Sequence, residues 1–177
     1  WISSAASDVY KRQLINKYSF EKALRIFNGM FAIAYFDIEK KCLYIARDRI
    51  GKKPLYYSFQ NKILGFASEL KSLYKIPSFS FVKSKKSIHL FSQLGYIPTP
   101  LSIYNNVHKL EQATYLKISK NGEIVKNKYW NFNQNQDQDS YLDLDELDNL
   151  INDSVKIRMI SDAPLGTFLS GGIDSTL

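Results

Sequence analysis

The chain has 177 residues, of which 45% are hydrophobic and 14% aromatic, with only 8 glycines and 5 prolines. This composition excludes a disordered or fibrous protein and provides enough apolar residues for a packed core. The single cysteine, Cys42, excludes an intramolecular disulfide framework and a multi-cysteine metal site. The sequence has no apolar run of membrane-spanning length and no signal-peptide pattern, so we expect a cytoplasmic protein without a membrane partner.

The net charge of +7 is distributed unevenly along the chain. Residues 1–130 hold 22 Lys and Arg against 8 Asp and Glu, whereas residues 131–177 hold 2 against 9. This reversal of sign indicates a domain boundary near Trp130, because the acidic part has a helical pattern. The basic residues are scattered and lack the aromatic motif of an RNA-binding sheet. We therefore expect a solvated basic surface and no nucleic-acid partner, with a basic nucleic-acid-binding module as the alternative.

The first 13 residues show neither helical nor strand periodicity. Within them, residues 8–13 (DVYKRQ) resemble the translation of a transposon end that is ligated to DNA in sequencing libraries. We therefore interpret residues 1–13 as a non-native adapter segment and leave them out of the fold prediction. Because the chain starts with Trp1 and stops just after a motif that should open a helix, we expect a fragment of a longer protein.

A series of short β-type runs follows a helical pattern at 18–27, which Asn28-Gly29 ends. The runs are aromatic and β-branched and are separated by polar or glycine-containing turns, which predicts antiparallel hairpins. These runs are 30–37, 42–47, 55–59 and 63–67. The first run is almost wholly apolar, so we expect it at the centre of a layered fold, covered on both faces.

Two short helices are predicted next. Ser68 is a candidate N-cap for a helix over 68–73. The pattern of 87–94 predicts a second helix, which ends at Gly95.

A hairpin, a linker and a longer helix are predicted in the following part. Residues 120–122 (KNG) are an Asn-Gly turn signal that joins the runs 114–119 and 123–129 in a hairpin. Residues 131–142 are rich in Asn, Gln and Asp, as is typical of a linker. From Asp143 an apolar stripe with acidic residues early and basic residues late predicts an amphipathic helix.

The chain closes on a glycine-rich turn, SGGIDST at 170–176, which follows a short apolar run at 166–169. A helix, a buried strand and a glycine-rich turn in this order are what a phosphate-binding βα junction requires. The two glycines allow backbone N–H groups to approach an anion, and three hydroxyls add donors. Asp174 would repel a bare phosphate, so we expect it to bind the Mg²⁺ that a nucleotide carries. The turn lacks the ordinary P-loop pattern.

The turn resembles the pyrophosphate-binding loop of the adenylating amide-forming synthetases. Motifs upstream of the turn indicate which of these families the chain resembles. In chain order these motifs are FNGMFAIAYFD, ARDRIGKKPLYY, FASELKSL, YIPTPLSIY and YW. With them, the chain resembles the glutamine-hydrolysing asparagine synthetase family over about residues 20–177.

The resemblance implies two domains. Residues 14–130 would be the C-terminal part of a glutaminase domain of the N-terminal-nucleophile type (class II glutamine amidotransferase), together with a connecting hairpin. Its fold would be α+β, with layered antiparallel sheets and helices. After the linker, residues 143–177 would start an α/β adenylating synthetase domain of the ATP-pyrophosphatase (PP-loop) type.

The resemblance also implies a reaction. The family converts aspartate to asparagine through β-aspartyl-AMP, using ATP and ammonia from glutamine, and releases AMP, pyrophosphate and glutamate. We therefore expect a C–N ligase of asparagine biosynthesis with aspartate, glutamine and ATP as small-molecule partners, Mg²⁺ as cofactor, and a homodimer of the full-length protein. A relative that amidates another carboxylate, in β-lactam, peptide or polysaccharide chemistry, is the alternative.

The resemblance assigns the nucleotide site to seven residues of this chain. They are Leu169, Ser170, Gly171, Gly172, Asp174, Ser175 and Thr176, with Asp174 also as the metal ligand. No catalytic residue is expected, because the family's glutaminase nucleophile is a cysteine at the mature N-terminus. This chain begins with Trp1, and Cys42 lies in a strand pattern typical of a core position. We therefore expect the 177-residue chain itself to be inactive.

One charged motif outside that loop is also predicted to be structural. Arg47, Asp48 and Arg49 follow a strand with alternating charges. We interpret them as a buried ion-pair or domain-interface cluster rather than as a substrate contact.

Overall fold

The computed structural model describes residues 5–132, 143–161 and 163–176. The chain divides into two units, one formed by Phe20–Gln134 and the other by Trp1–Ser19 together with Asn135–Leu177. Except for its first two positions, the predicted linker at 131–142 lies outside the described residues. In the described ranges, no helix combines the length and the apolar character needed to cross a membrane.

The described elements follow one another as short helices and strands. The helices are α1 (Ala5–Tyr18), α2 (Phe20–Ile26), α3 (Leu70–Leu73), α4 (Lys85–Leu94), α5 (Leu144–Arg158) and α6 (Ile173–Thr176). The strands are β1 (Ala32–Asp37), β2 (Cys42–Arg47), β3 (Tyr56–Gln60), β4 (Ile63–Ala67), β5 (His108–Lys109), β6 (Thr114–Ile118) and β7 (Ile124–Lys128).

The unit Phe20–Gln134 contains two antiparallel sheets. One has four strands in the order β1-β2-β6-β7, and the other has three in the order β4-β3-β5. A cluster of buried side chains joins the two sheets, with β2 and β6 on one side and the segments around β3 and β5 on the other. Its members are Ile45, Leu55, Leu110, Leu116 and Ile118. The prediction of layered antiparallel sheets with helices is confirmed at this level.

Helix α2 covers the opposite face of the four-stranded sheet. Phe20 packs on Tyr44 and Tyr115, with ring centroids 4.7 Å and 5.7 Å apart. Ala23 and Leu24, also on α2, are fully buried. The layers of this unit are therefore helix, sheet and sheet.

The expectation that the first apolar strand is central is wrong for the described part of the chain. There β1 lies at the edge of its sheet, with β2 as its neighbour. Its burial alternates, so that Ala34 and Phe36 are exposed. The prediction rested on the continuous hydrophobicity of 30–37. In the structure, β2 and β6 occupy the centre of the sheet, and one face of β1 remains in solvent.

The hairpin and the second short helix agree with their local signals. Gly122 adopts a φ of +81° in the turn between β6 and β7. Gly95, with a φ of +74°, is the C-cap of α4, and Ser84 is its N-cap, since the Ser84 hydroxyl accepts from Ser87 N–H at 3.2 Å. The prediction that Ser68 is an N-cap is wrong, however. Helix α3 starts after Glu69, whose side chain makes no capping hydrogen bond.

The other unit contains helices α1, α5 and α6. The amphipathic helix predicted from Asp143 is confirmed as α5, and the Asp143 carboxylate caps it by accepting from the backbone N–H groups of Asp145 and Glu146. Part of the segment left out of the fold prediction is helical, because Ala5–Tyr18 form α1. Its alanines, lysines, arginine and glutamine favour a helix by intrinsic propensity and need no apolar stripe. The non-native origin of residues 1–13 stays a prediction.

Candidate functional site

The segment before the glycine-rich turn is extended and exposed. Residues 164–170 form neither helix nor strand, and Phe168 and Leu169 lie in solvent. The buried strand expected at 166–169 is therefore absent from this described segment. Such a strand is stable only between parallel neighbours, and the described strands all pair antiparallel within the other unit.

The glycine-rich turn itself brings most of its predicted residues together. Gly171 has a φ of +75°, in the left-handed region that glycine adopts without strain. The hydroxyls of Ser170 and Ser175 are 2.9 Å apart. Ser175 and Thr176 also donate from their hydroxyls to the carbonyl of Gly172, at 3.1 Å and 2.6 Å. Two hydroxyls therefore bond to the Gly172 carbonyl just before α6, and the third, that of Ser170, pairs with Ser175.

Space around the two glycines is open. A Cβ atom at Gly172 would lie 3.6 Å from Ser170 Oγ and 3.9 Å from Ser175 Oγ, which is ordinary contact. A Cβ at Gly171 would meet no atom within 4 Å. Within the described part of the chain, packing therefore does not require glycine at 172, and the space beside it is open.

One predicted site residue is not brought into this cluster, since Leu169 precedes it and is 73% exposed. Asp174 lies in α6, and its side chain is outside the described part of the structure, so its role as a metal ligand stays a prediction. Across the described residues, no group of three or more His, Cys, Asp or Glu side chains could hold a metal ion.

Cys42, the single cysteine, is buried on β2. Its thiol donates to the carbonyl of Lys40 at 3.3 Å. The prediction of a core position is confirmed.

The charged motif after β2 is the most densely bonded turn in the sheet unit. Asp48 is buried, and its carboxylate accepts from four backbone N–H groups. The donors are Phe31 at 3.3 Å, Ile50 at 3.2 Å, Lys52 at 2.9 Å and Lys53 at 2.9 Å. Several donors to one carboxylate stabilise its negative charge without a cation in contact. The carboxylate thus holds the loop 48–53 against the start of β1.

Arg47 completes the same turn from the other side. Its guanidinium donates to three backbone carbonyls: Lys53 and Leu110 at 2.7 Å each and Gly51 at 2.6 Å. Desolvation in this position lowers the pKa of Arg47. Both charged side chains are therefore held mainly by bonds to the backbone, and the negative charge of Asp48 partly offsets the desolvation that lowers the pKa of Arg47.

The sequence contains a local signal for this turn. Asp at the first and glycine at the fourth position are typical of a type I β-turn, and Gly51 N–H donates to Asp48 C=O at 3.1 Å. The spacing of Asp48 and Gly51 therefore indicates a turn rather than an ion-pair cluster.

Arg49 faces a different environment. Its guanidinium donates to the carbonyl of Arg25 at 2.5 Å and lies 5.8 Å from the ring centre of Trp130. Its Nε is buried and has no hydrogen-bond partner among the described residues. The three charged residues of the motif therefore do not form one cluster. Arg47 and Asp48 stabilise the turn, and Arg49 packs on the ring of Trp130.

Two family models match the chain in sequence. Residues 11–130 match the model described as a glutamine amidotransferase domain, and residues 146–177 match the model described as asparagine synthase. The sheet unit thus corresponds to the first match, and α5, the glycine-rich turn and α6 to the second.

Curated relatives agree with both matches. A Methanocaldococcus jannaschii protein that carries the name of a glutamine-hydrolysing asparagine synthetase is 39% identical over 93% of this chain and 32% of its own length. Glutamine-hydrolysing asparagine synthetases 1 and 3 of Bacillus subtilis are 36% and 33% identical over 88% and 84% of this chain. The chain spans 25% and 24% of these two relatives. The chain therefore belongs to the glutamine-hydrolysing asparagine synthetase family, with a glutamine amidotransferase domain followed by the start of a synthetase domain.

Proposed function

We propose that this chain is part of an ATP-dependent ligase that converts aspartate to asparagine with ammonia from glutamine. The observation that carries the proposal is the order of the two matched domains in one chain, an amidotransferase domain before an asparagine synthase segment. In this reaction ATP activates the aspartate side chain as β-aspartyl-AMP, and ammonia then displaces AMP. The products are asparagine, AMP, pyrophosphate and glutamate, and the site of action is the cytoplasm.

The glycine-rich turn would hold the pyrophosphate part of ATP. Its left-handed Gly171 and the open space beside Gly172 allow a phosphate to approach the backbone closely. The hydroxyls of Ser170, Ser175 and Thr176 would exchange their present bonds, to one another and to the Gly172 carbonyl, for bonds to phosphate oxygens. Leu169 would lie against the nucleotide. The turn would then be a PP-loop.

Asp174 would contribute a carboxylate to Mg²⁺ bound with the nucleotide, since Mg²⁺ prefers carboxylate and phosphate oxygens. The ion would neutralise charge on the leaving pyrophosphate.

The unit Phe20–Gln134 would belong to a glutaminase domain of the N-terminal-nucleophile type. Its layers of helix and antiparallel sheets support this assignment. The nucleophile would be an N-terminal cysteine outside these 177 residues, because Cys42 is buried on β2. The 177-residue chain would therefore release no glutamate from glutamine and form no asparagine.

The proposal is tested on the complete reading frame that contains this chain. Purified protein is given aspartate, glutamine and Mg·ATP, and asparagine, AMP and pyrophosphate are measured. We expect them in equal amounts, and Asp174→Asn should lower the rate at least about 100-fold through the loss of charge stabilisation. Asp153→Asn, on the exposed surface of α5, is the matched control and should leave the rate unchanged.

Two results would overturn the proposal in different ways. AMP formation that depends on another carboxylic acid and not on aspartate would keep the ligase and refute asparagine as the product. An unchanged rate in Asp174→Asn would refute the assignment of the metal ligand.

A further inference from the structure

A cavity of about 220 Å³ lies next to the turn 48–53. Its walls come from the end of β2, the start of β3, the segment 96–99 and β5, all within the unit Phe20–Gln134. The polar residues that line it are Arg47, Tyr56, Tyr96, Thr99 and Lys109. We call this cavity the β3–β5 cavity.

Two cations, Arg47 and Lys109, line this cavity from different strands. Strand pairing places Lys109 opposite Tyr56 on β3. The carbonyl of the next residue, Leu110, accepts from Arg47 Nη1 at 2.7 Å. Lys109 Nζ is itself held by a bond to the Ile97 carbonyl at 2.5 Å. Backbone contacts therefore fix both cations on the walls of one cavity.

No acidic side chain neutralises these two cations inside the cavity. Among the described residues that line it, none is an Asp or a Glu. Desolvation, followed by the positive charge of Arg47, lowers the pKa of Lys109. Asp48 acts on Arg47 from outside the cavity, and its carboxylate already accepts from four backbone N–H groups. A bound anion would therefore relieve the repulsion between the two cations.

We propose that the β3–β5 cavity binds a small oxyanion of the phosphate class between the side chains of Arg47 and Lys109. Three of the five N–H groups of Arg47 donate to backbone carbonyls, which leaves two for a ligand. The ammonium of Lys109 has three donors, of which one bonds to a backbone carbonyl. The hydroxyls of Tyr56, Tyr96 and Thr99 can donate to the same anion. This inference does not depend on the proposed ligase activity.

The size and the charge of the cavity select the ligand. Pockets for drug-sized ligands have volumes of about 300–1,000 Å³. A cavity of about 220 Å³ is therefore too small for a nucleotide but accommodates a single phosphate. The two cations match the two negative charges of the phosphate dianion, and its oxygens accept from donors on several walls. Phosphate bound there would join β2, β3, β5 and the segment 96–99, and so stabilise the folded state.

NMR of the 177-residue chain with lysine labelled at Cε tests the inference by titration with inorganic phosphate. We expect the Lys109 signal, assigned with Lys109→Met, to shift saturably with a Kd of about 1 mM, as is reasonable for so small a ligand. The pKa of Lys109 should rise when phosphate is bound, because an anion favours the ammonium form. Sodium chloride at the same ionic strength serves as the reference titration. Lys117 provides the matched control signal, since it is also a half-buried lysine but does not line the cavity.

Variants separate this cavity from the glycine-rich turn, the other phosphate site proposed for this chain. Ser175→Ala alters only that turn and should leave the phosphate-induced shift of the Lys109 signal unchanged. Phosphate should also raise the melting temperature above that in sodium chloride, and Lys109→Met should remove at least about half of this rise. Lys117→Met should retain the rise, and Lys109→Arg should also retain it because it keeps the positive charge.

Three results would overturn the inference. The first is a Lys109 signal that phosphate shifts no more than sodium chloride does. The second is a shift that disappears in Ser175→Ala, which would place the phosphate at the glycine-rich turn. The third is an equal loss of the phosphate-dependent rise in melting temperature in Lys109→Met and Lys117→Met, which would show a general effect of positive charge.

Discussion

Arg47 holds Gly51 in place across the turn that follows β2. Its Nη2 donates to the Gly51 carbonyl at 2.6 Å, and its Cζ lies 3.1 Å from where a Cβ of residue 51 would be. Gly51 also has a φ of +72°. Both the backbone conformation and the guanidinium therefore disfavour a side chain at this position.

Gly51→Ala should destabilise the sheet unit by about 2–4 kcal/mol, combining left-handed strain with displacement of the Arg47 guanidinium. Gly122→Ala is the matched control, because Gly122 also has a positive φ of +81° but would meet no atom within 4 Å. It should cost only about 1 kcal/mol. Urea denaturation of both variants measures the difference, and equal losses would contradict a role for Arg47.

Asp48→Asn should destabilise the same unit by about 3 kcal/mol. The amide retains one acceptor oxygen for four N–H donors, and its NH₂ group is directed at donors that it cannot satisfy. Asp37→Asn provides the control, since Asp37 accepts from Lys40 N–H at 2.9 Å in an exposed turn. That variant should lose less than about 1 kcal/mol. Urea midpoints that fall by the same amount in both variants would show that burial of the carboxylate is unimportant.

Ionisation of the Tyr115 phenol makes the stability of the folded protein depend on pH in the alkaline range. Burial, followed by its hydrogen bond to Glu21 at 3.0 Å, raises the pKa of Tyr115 to about 12. The folded state thus keeps a proton that the unfolded chain loses near pH 10. The stabilisation is complete below pH 10 and is lost as pH rises from about 10 to about 12.

Glu21→Gln should lower the pKa of Tyr115, because it removes the negative charge beside the phenol. NMR of ring-labelled tyrosine, assigned with Tyr115→Phe, follows the titration. Glu123→Gln changes an exposed carboxylate on the turn of the β6–β7 hairpin and should leave this pKa in place. If the pKa of Tyr115 does not decrease in Glu21→Gln, the hydrogen bond to Glu21 does not contribute to its raised value.

Gly172→Ala should spare folding and impair nucleotide binding in the complete ligase. A methyl group at 172 fits the chain, with its nearest neighbour at 3.6 Å, but it would occupy the space proposed for pyrophosphate. We expect the KM for ATP to rise about tenfold, equivalent to about 1.4 kcal/mol. Gly166→Ala, where a Cβ also meets nothing within 4 Å, should leave KM unchanged. An unchanged KM in Gly172→Ala would place the phosphates elsewhere.

The sequence by itself determined the features that depend on neighbouring residues. The Asn121-Gly122 turn, the Gly95 helix end and the start of α5 after Asp143 each depend on interactions within a few positions of the chain. The motif order also led to the family, since its segments are linear patterns. Such features follow from local backbone preferences, which a single sequence contains.

Only the tertiary structure decided which groups meet across the chain. Arg47 bonds to Leu110, 63 residues away, and Asp48 to Phe31, 17 residues before it. The hydrophobic pattern of β1 predicts a central strand, whereas in the described structure β1 is an edge strand. Strand order and long-range hydrogen bonds depend on how distant segments pack together, and a periodic pattern does not specify which segments those are.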